Sequence, residues 1–224
     1  MERIRNITPA EIKSDPEIHT YIDRADDSLE ALGYTEHSLA HVTKCAEMAS
    51  HLLTQLGYSR RMAELAWIAG YMHDIGNMVN RNDHAQTGAI MAFKLLDDRG
   101  MDPSDTATVV TAIGHHDDHT AFPVNAVAAA LILADKTDVR RSRVRRLADI
   151  AGDIHDRVNY AITKSDLVLD GDKKTMTLVL ELDTEICPVM EYFEIFMQRM
   201  ELCKQSSKFF GYTFKLEING QMVL

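Results

Sequence analysis

A mainly α fold with a small α/β appendage towards the C-terminus is what this chain predicts, and three observations predict it. Apolar residues recur at helical spacing in segment after segment through the first two-thirds. Those segments open on capping residues or Pro, and several close on Gly. From about residue 155 the pattern changes to β-rich runs around one long amphipathic segment. The reading divides the chain into a helical domain over 1–154, lead helix included, and a small α/β subdomain over 155–224.

Asp15-Pro16 marks a helix start, because the Asp side chain accepts from open N–H groups and Pro is preset for the first turn. Ile18, Tyr21, Ile22, Ala25, Leu29 and Leu32 follow at helical spacing up to Gly33. A second helix runs from about His37 to Leu56. Leu39, Val42, Ala46, Ala49, Leu53 and Leu56 form its apolar stripe, and Gly57 stops it. Ser59 starts a third, whose run Leu65-Ala66-Trp67-Ile68-Ala69 is apolar nearly all round, as in a central helix. It delivers His73-Asp74 and stops near Gly76. Asn82 or Asp83 caps a fourth helix, with His84 in its first turn. Asp102-Pro103 starts a fifth, which ends around Gly114 with His115-His116 at its terminus. Pro123 opens a sixth, through Val127, Ala130, Leu131 and Leu133 to Asp135.

Beyond these helices, Ser165 to Asp170 and Thr175 to Leu182 read as a hairpin across Gly171. Pro188 to Phe210 is a long amphipathic helix carrying Val189, Tyr192, Phe193, Phe196, Met197 and Met200. Tyr212 to Ile218 and the last four residues read as strands around the turn pair Asn219-Gly220. The 12 methionines are read as core filling.

Composition narrows the function classes. At 46% hydrophobic and 26% charged residues, the 224-residue chain is expected to be soluble and globular. No apolar run reaches membrane-spanning length, and the opening Met1-Glu2-Arg3-Ile4-Arg5-Asn6 lacks the apolar core of a signal peptide. Cys45, Cys187 and Cys203 are odd in number and widely spaced, which fits core packing in a reduced, cytoplasmic protein. A net charge of −10 disfavours polymeric nucleic acid as a partner. The local exception is Arg140-Arg141-Ser142-Arg143-Val144-Arg145-Arg146.

Histidine usage carries the functional signal. Eight of the ten histidines fall between positions 37 and 119, leaving His19 and His155 outside; His51 reads with those two as an ordinary histidine. His73-Asp74 closes an apolar helix, and burying an imidazole beside a carboxylate is costly unless a cation compensates. A metal ion compensates well, accepting the imidazole lone pair and neutralising the carboxylate. His37, His41 and Lys44 share one helix face, which is either a solvated surface or the lining of a cleft.

The order His41, then His73-Asp74 in Met72-His73-Asp74-Ile75-Gly76, then Asp135 in Leu133-Ala134-Asp135-Lys136, resembles the HD-domain metal-dependent phosphohydrolase superfamily. His84 and His115-His116 match the further ligands of its binuclear members, among them HD-GYP phosphodiesterases and diadenosine tetraphosphate hydrolases. The resemblance covers roughly residues 35–146. The Gly-Tyr-Pro motif is absent, Asp117-Asp118-His119-Thr120 following His116 instead, and Asn77 stands where many relatives carry Lys.

The resemblance implies an HD-domain helical bundle and two divalent transition-metal ions, Fe, Mn or similar, with Mg or Zn as alternatives. His41, His73, Asp74 and Asp135 would hold the first ion. Asp74 would bridge to a second held by His84, His115 and His116. The implied reaction is cleavage of a phosphate ester or anhydride of a nucleotide or other small phosphorylated molecule by a metal-activated hydroxide. The catalytic candidates are Asp74, Lys44 and Asp138, the last placed on the same helical face as Asp135. Substrate-binding candidates are Lys136, Arg140, Arg141 and His37, with a solvated lysine and a basic helix terminus as the plainer readings. Two other classes stay open: a nucleotide-sensing metal-binding module, and a di-iron oxygenase of the same superfamily. Dimerisation, a lid or effector binding are the roles open to the appendage.

Overall fold

A computed structural model describes residues 4–145 and 152–224. Residues 1–3, which open the chain, and 146–151, with Arg146 of the arginine run, lie outside the described residues. Two compact units form, Met1–Asp135 and Lys136–Leu224.

The first unit is helical. Its elements are α1 (Pro9–Lys13), α2 (Pro16–Ala31), α3 (Leu39–Gln55), α4 (Arg60–Met72), α5 (His84–Asp98), α6 (Pro103–Gly114) and α7, whose span Ala126–Lys136 reaches the unit boundary. Caps decide most of the starts. Asp15 Oδ1 accepts from the Glu17 and Ile18 amides, Ser59 Oγ from Met62, and Asp102 Oδ1 from Ser104 and Asp105. The apolar runs become core: Leu65, Ala66, Ile68, Ala69 and Met72 of α4, and Val127 to Leu133 of α7, are buried without interruption.

Several boundaries differ from the sequence reading. The second helix starts at Leu39 rather than His37, because Ser38 Oγ accepts from the Ala40 amide. The third stops at Met72, and a 3-10 turn over Ile75–Met78 follows. Asp83 precedes α5, yet its φ of 58° is left-handed and its side chain caps nothing. Helix α7 begins at Ala126, not Pro123, where Asn125 Oδ1 accepts from Ala128. Leu32, read as part of an apolar stripe, ends α2 and is 63% exposed. The short α1 is an addition, opened by a capping box in which Thr8 and Glu11 satisfy each other's amides.

The second unit opens with a 3-10 turn over Arg141–Arg143. It then runs through α8 (Ile154–Ala161), β1 (Ile162–Asp170), β2 (Thr175–Leu182), α9 (Val189–Phe209), β3 (Thr213–Ile218) and β4 (Gln221–Met222). The sheet order is β1-β2-β3-β4. The expected β1–β2 hairpin forms in antiparallel register, Ser165 opposite Leu180 and Leu167 opposite Leu178. β2 and β3 pair in parallel, Leu178 opposite Leu216, so α9 is a crossover helix. Asn219 and Gly220 take φ of 52° and 76° and turn β3 into β4, as that dipeptide favours. Met176, Leu178 and Leu180 with Phe214, Leu216 and Ile218 alternate into the core, where α9 contributes Tyr192, Phe196, Met200 and Cys203. Met197, expected inside, is 59% exposed, because the buried stripe runs through Phe196 and Met200 on either side of it.

Candidate metal centre

Two close helix approaches assemble the centre. A Cβ at Gly70 would lie 2.7 Å from Ala46 Cα, so α4 and α3 meet almost backbone to backbone. That contact brings His41, on α3, against His73 at the end of α4, their ring centroids 5.3 Å apart. A Cβ at Gly76 would lie 2.0 Å from the His84 carbonyl oxygen and 2.5 Å from Gly88 N, so the turn after Asp74 lies directly on the start of α5. His116 follows the end of α6, its ring 4.9 Å from that of His73 and 5.1 Å from that of His84. Asp135 comes from the last turn of α7.

Asp74 sits in the middle, and its two oxygens face different neighbours. Oδ2 lies 3.2 Å from His73 Nε2 and 3.6 Å from His41 Nε2. Asp135 Oδ1 adds a second carboxylate there, 3.5 Å from His41 Nε2 and 3.9 Å from His73 Nε2. Asp74 Oδ1 lies 3.5 Å from His84 Nε2 and 3.9 Å from His116 Nε2. His41, His73, Asp74, His84 and His116 are all 4% exposed or less, so the cluster lies almost wholly beneath the surface. Asn77 fixes the carboxylate, its Nδ2 donating to Asp74 Oδ1 and to the Asp74 carbonyl, each at 2.9 Å. Asn77 thus orients the central Asp.

Tautomers follow from backbone partners. Nδ1 of His73, His84 and His116 lies 2.8, 3.0 and 2.6 Å from the carbonyl oxygens of Gly70, Arg81 and Ile113. A carbonyl only accepts, so each Nδ1 carries the proton and each neutral ring turns an Nε2 lone pair into the cluster. His84 and His116 then face each other Nε2 to Nε2 at 3.2 Å, two acceptors with no proton between them. His73 Nε2 is buried without a hydrogen-bond partner although a carboxylate oxygen lies 3.2 Å away, as expected of a lone pair facing an acceptor. Only positive charge reconciles such a set.

The electrostatics show the same demand for positive charge, met by the imidazoles themselves where no ion is bound. Burial works against a charged Asp74, but His73 and His116 beside it outweigh burial and hold the carboxyl well below its usual range. Burial also lowers His73, yet Asp74 and Asp135 overcome it and leave the imidazole raised. His84 is lowered to about 4, mainly by burial and then by His116, so its lone pair stays available at neutral pH.

Metal–ligand bonds of about 2.0–2.2 Å put neighbouring ligands roughly 3.0–3.5 Å apart at angles of 90–110°. The 3.2–3.9 Å separations on both sides of Asp74 are near that range. His41, Cys45, His73 and Asp135 each offer a donor atom within 4.8 Å of the others, as do His73, Asp74 and His116. The cluster is therefore able to hold metal.

The other site candidates are placed differently. His115 turns back on its own helix, Nδ1 2.9 Å from the Thr111 carbonyl oxygen, and none of the ion pairs or ring contacts among the described residues joins it to the cluster. His37 lies one turn before His41, its ring centroid 5.4 Å away and its Nδ1 donating to the Thr35 carbonyl at 2.6 Å. Lys44 is half-buried on α3. Lys136, Asp138, Arg140 and Arg141 belong to the second unit. Asp138 does not share a helix face with Asp135, because α7 ends at Lys136. Its Oδ1 accepts from Arg140 Nε at 3.0 Å, and its carbonyl accepts from Arg143 Nη1 at 2.9 Å. Arg141 donates from Nε to the Tyr160 carbonyl at 2.6 Å and stacks over the Tyr160 ring at 4.5 Å.

Sequence reasoning missed Cys45, whose Sγ packs 3.7 Å from both ring nitrogens of His41, and the glycines at the helix approaches. The signals were the i, i+4 spacing from His41 and the Gly close to His73-Asp74 on either side.

Residues 34–140 match the HD domain family, a span that holds His41, His73-Asp74, His84, His116 and Asp135. Among solved structures it is similar to the crystal structure of a predicted HD superfamily hydrolase from an uncultured Thermotogales bacterium. The two are 27% identical, covering 62% of this chain and 72% of that one, with a TM-score of 0.45. No curated protein matches.

Proposed function

We propose that this protein is a metal-dependent phosphohydrolase acting on a small phosphorylated molecule of the nucleotide class. One observation carries the reading: the two oxygens of the buried Asp74 face two separate pairs of imidazole Nε2 atoms. That is the donor arrangement of a bridging carboxylate. His41, His73, Asp74 and Asp135 would hold one divalent ion, and His84, His116 and Asp74 another. When bound, such a pair supplies Lewis acidity to phosphoryl oxygens and lowers the pKa of a water. The protein's own part is to hold the donors in place. Carbonyl contacts lock the His73, His84 and His116 rings, Asn77 holds Asp74, and burial keeps bulk water from screening the site. His37, beside His41, is the first unit's candidate for orienting a phosphate. The net charge of −10 supports a small substrate over a nucleic-acid polymer.

The test combines metal analysis with a panel of nucleotides and simple phosphoesters. Wild-type protein is expected to retain about two transition-metal ions per chain, the two-ion case of metal catalysis, and to turn over members of the panel. Asp74→Ala should lose both retention and turnover. Turnover that survives in Asp74→Ala sinks the reading, and oxygen consumption by an iron-loaded sample inert to every phosphoester replaces it with oxygenase chemistry.

A further inference from the structure

The two sides of Asp74 differ in one respect. On the side of Oδ2, two imidazoles and the bridging oxygen are joined by the terminal carboxylate of Asp135. On the side of Oδ1, the family pattern puts His115 beside His116, and the structure does not: His115 is engaged with Thr111 at the end of its own helix. A different group stands there. Asp117 Oδ1 lies 3.9 Å from His84 Nε2, the same separation as between His116 Nε2 and Asp74 Oδ1 across that pole.

We infer that Asp117 is the terminal carboxylate ligand of the second ion, taking the place that His115 would fill. Four features support this. Asp117 follows His116 directly, where the chain has just left α6, so the turn that sets His116 also sets Asp117. Its side chain is 18% exposed, close to the 14% of Asp135 on the other side. Its backbone carbonyl is occupied, accepting from Thr120 at 2.9 Å and Ala121 at 2.7 Å, which fixes the turn. The side-chain oxygen instead faces His84, whose Nε2 is buried and lies 3.2 Å from another imidazole Nε2. With Asp117, each side holds two imidazoles, one oxygen of Asp74 and one further carboxylate. Two ions then bring four positive charges to three carboxylates, leaving net positive charge to attract a phosphate.

The inference rests on the two-ion reading, and the experiment separates the two. Metal-stripped wild type, Asp117→Ala, Asp117→Glu and His115→Ala are titrated with Mn(II) alone. Bound ion is followed by calorimetry, by elemental analysis and by the electron paramagnetic resonance spectrum, with circular dichroism as the check on folding. Wild type is expected to take up two ions and show an exchange-coupled pair. Asp117→Ala should keep one ion, give the six-line signal of isolated Mn(II), and bind the second at least about tenfold more weakly, as loss of a metal-orienting group does. Asp117→Glu should recover the coupled signal in part, because the carboxylate is kept. His115→Ala should match wild type. Two tightly bound, coupled ions in Asp117→Ala overturn the assignment while leaving the two-ion reading intact, and loss of the second ion in His115→Ala returns the position to His115. A wild type that takes up no ion overturns both.

Discussion

The two compact units treat buried charge in opposite ways. In Met1–Asp135, the buried histidines turn lone pairs towards each other and towards carboxylates: His84 and His116 meet acceptor to acceptor at 3.2 Å, and His73 Nε2 has no hydrogen-bond partner. In Lys136–Leu224, the 2%-exposed Asp138 is met by Arg140 and by the 4%-exposed Arg143, opposite charges in direct contact. Both arrangements cost desolvation. Only the second meets its carboxylate with permanently charged groups. A fold that keeps imidazoles and carboxylates buried together, and packs glycine against backbone to do so, has the character of a site rather than of a stabilising network. Within that second unit, Arg140 donates to Asp138 and Ser142, and Arg141 to the Tyr160 carbonyl.

The sharpest way to break the comparison is Gly76→Ala. The added Cβ would meet two backbone atoms, His84 O at 2.0 Å and Gly88 N at 2.5 Å, and neither can rotate aside. The turn after Asp74 must then lift off α5, separating Asp74 from His84. A loss of about 3 kcal/mol or more is expected, at the upper end of overpacking effects. Trp67, the chain's single Trp, stacks on Tyr71 within α4 and reports the first unit by fluorescence during denaturant unfolding. An Asp138→Ala variant probes the other side. Removing the carboxylate takes a buried counter-charge from Arg140, at 3.0 Å, and from Arg143, at 3.9 Å, with an expected cost of about 3 kcal/mol. Far-UV circular dichroism under denaturant measures it, and a cost below about 1 kcal/mol, the range of an exposed ion pair, would erase the distinction between the units.

Much of this contrast is legible in the amino-acid sequence. The order His41, His73-Asp74, His84, His116, Asp135 is readable because the residue types able to hold a metal are few and these fall at or near helix ends. The helix starts at Pro16, Arg60 and Pro103 follow from Asp15, Ser59 and Asp102, whose caps are local chemistry. Thr8-Pro9-Ala10-Glu11 carries an equally local capping-box signal for α1, one that hydrophobic spacing alone passes over. What sequence reasoning cannot supply is direction. His115 and His116 are adjacent and alike, and only the path of the chain after Gly114 decides which ring enters the cluster. The partners of Asp138 are hidden for the same reason, since α7 ends two residues before it and no helical face joins it to Asp135. The parallel pairing of β2 with β3 is likewise non-local, set by the length of α9 rather than by either strand.

The smallest effect sharpens what holds the first unit together apart from its site. Asp15 caps α2 through Oδ1 and takes a 2.6 Å hydrogen bond from Arg99 Nε at Oδ2, with both side chains about one-fifth exposed. Arg99 holds the Asp15 carboxyl below its usual range, with burial opposing and the Ile18 and Glu17 amides assisting. A depressed carboxyl contributes stability above its unfolded value of 3.8 and loses it as pH falls through the folded value. Asp15→Ala should therefore cost about 1 kcal/mol at pH 6, the usual size of a lost cap, and the difference from wild type should vanish in strong acid. Denaturant midpoints for both proteins at pH 6 and in strong acid measure it. A gap that persists undiminished in acid would mean that packing, not the charged cap, links α2 to α5, and Arg99→Ala would then show the same pH-independent loss.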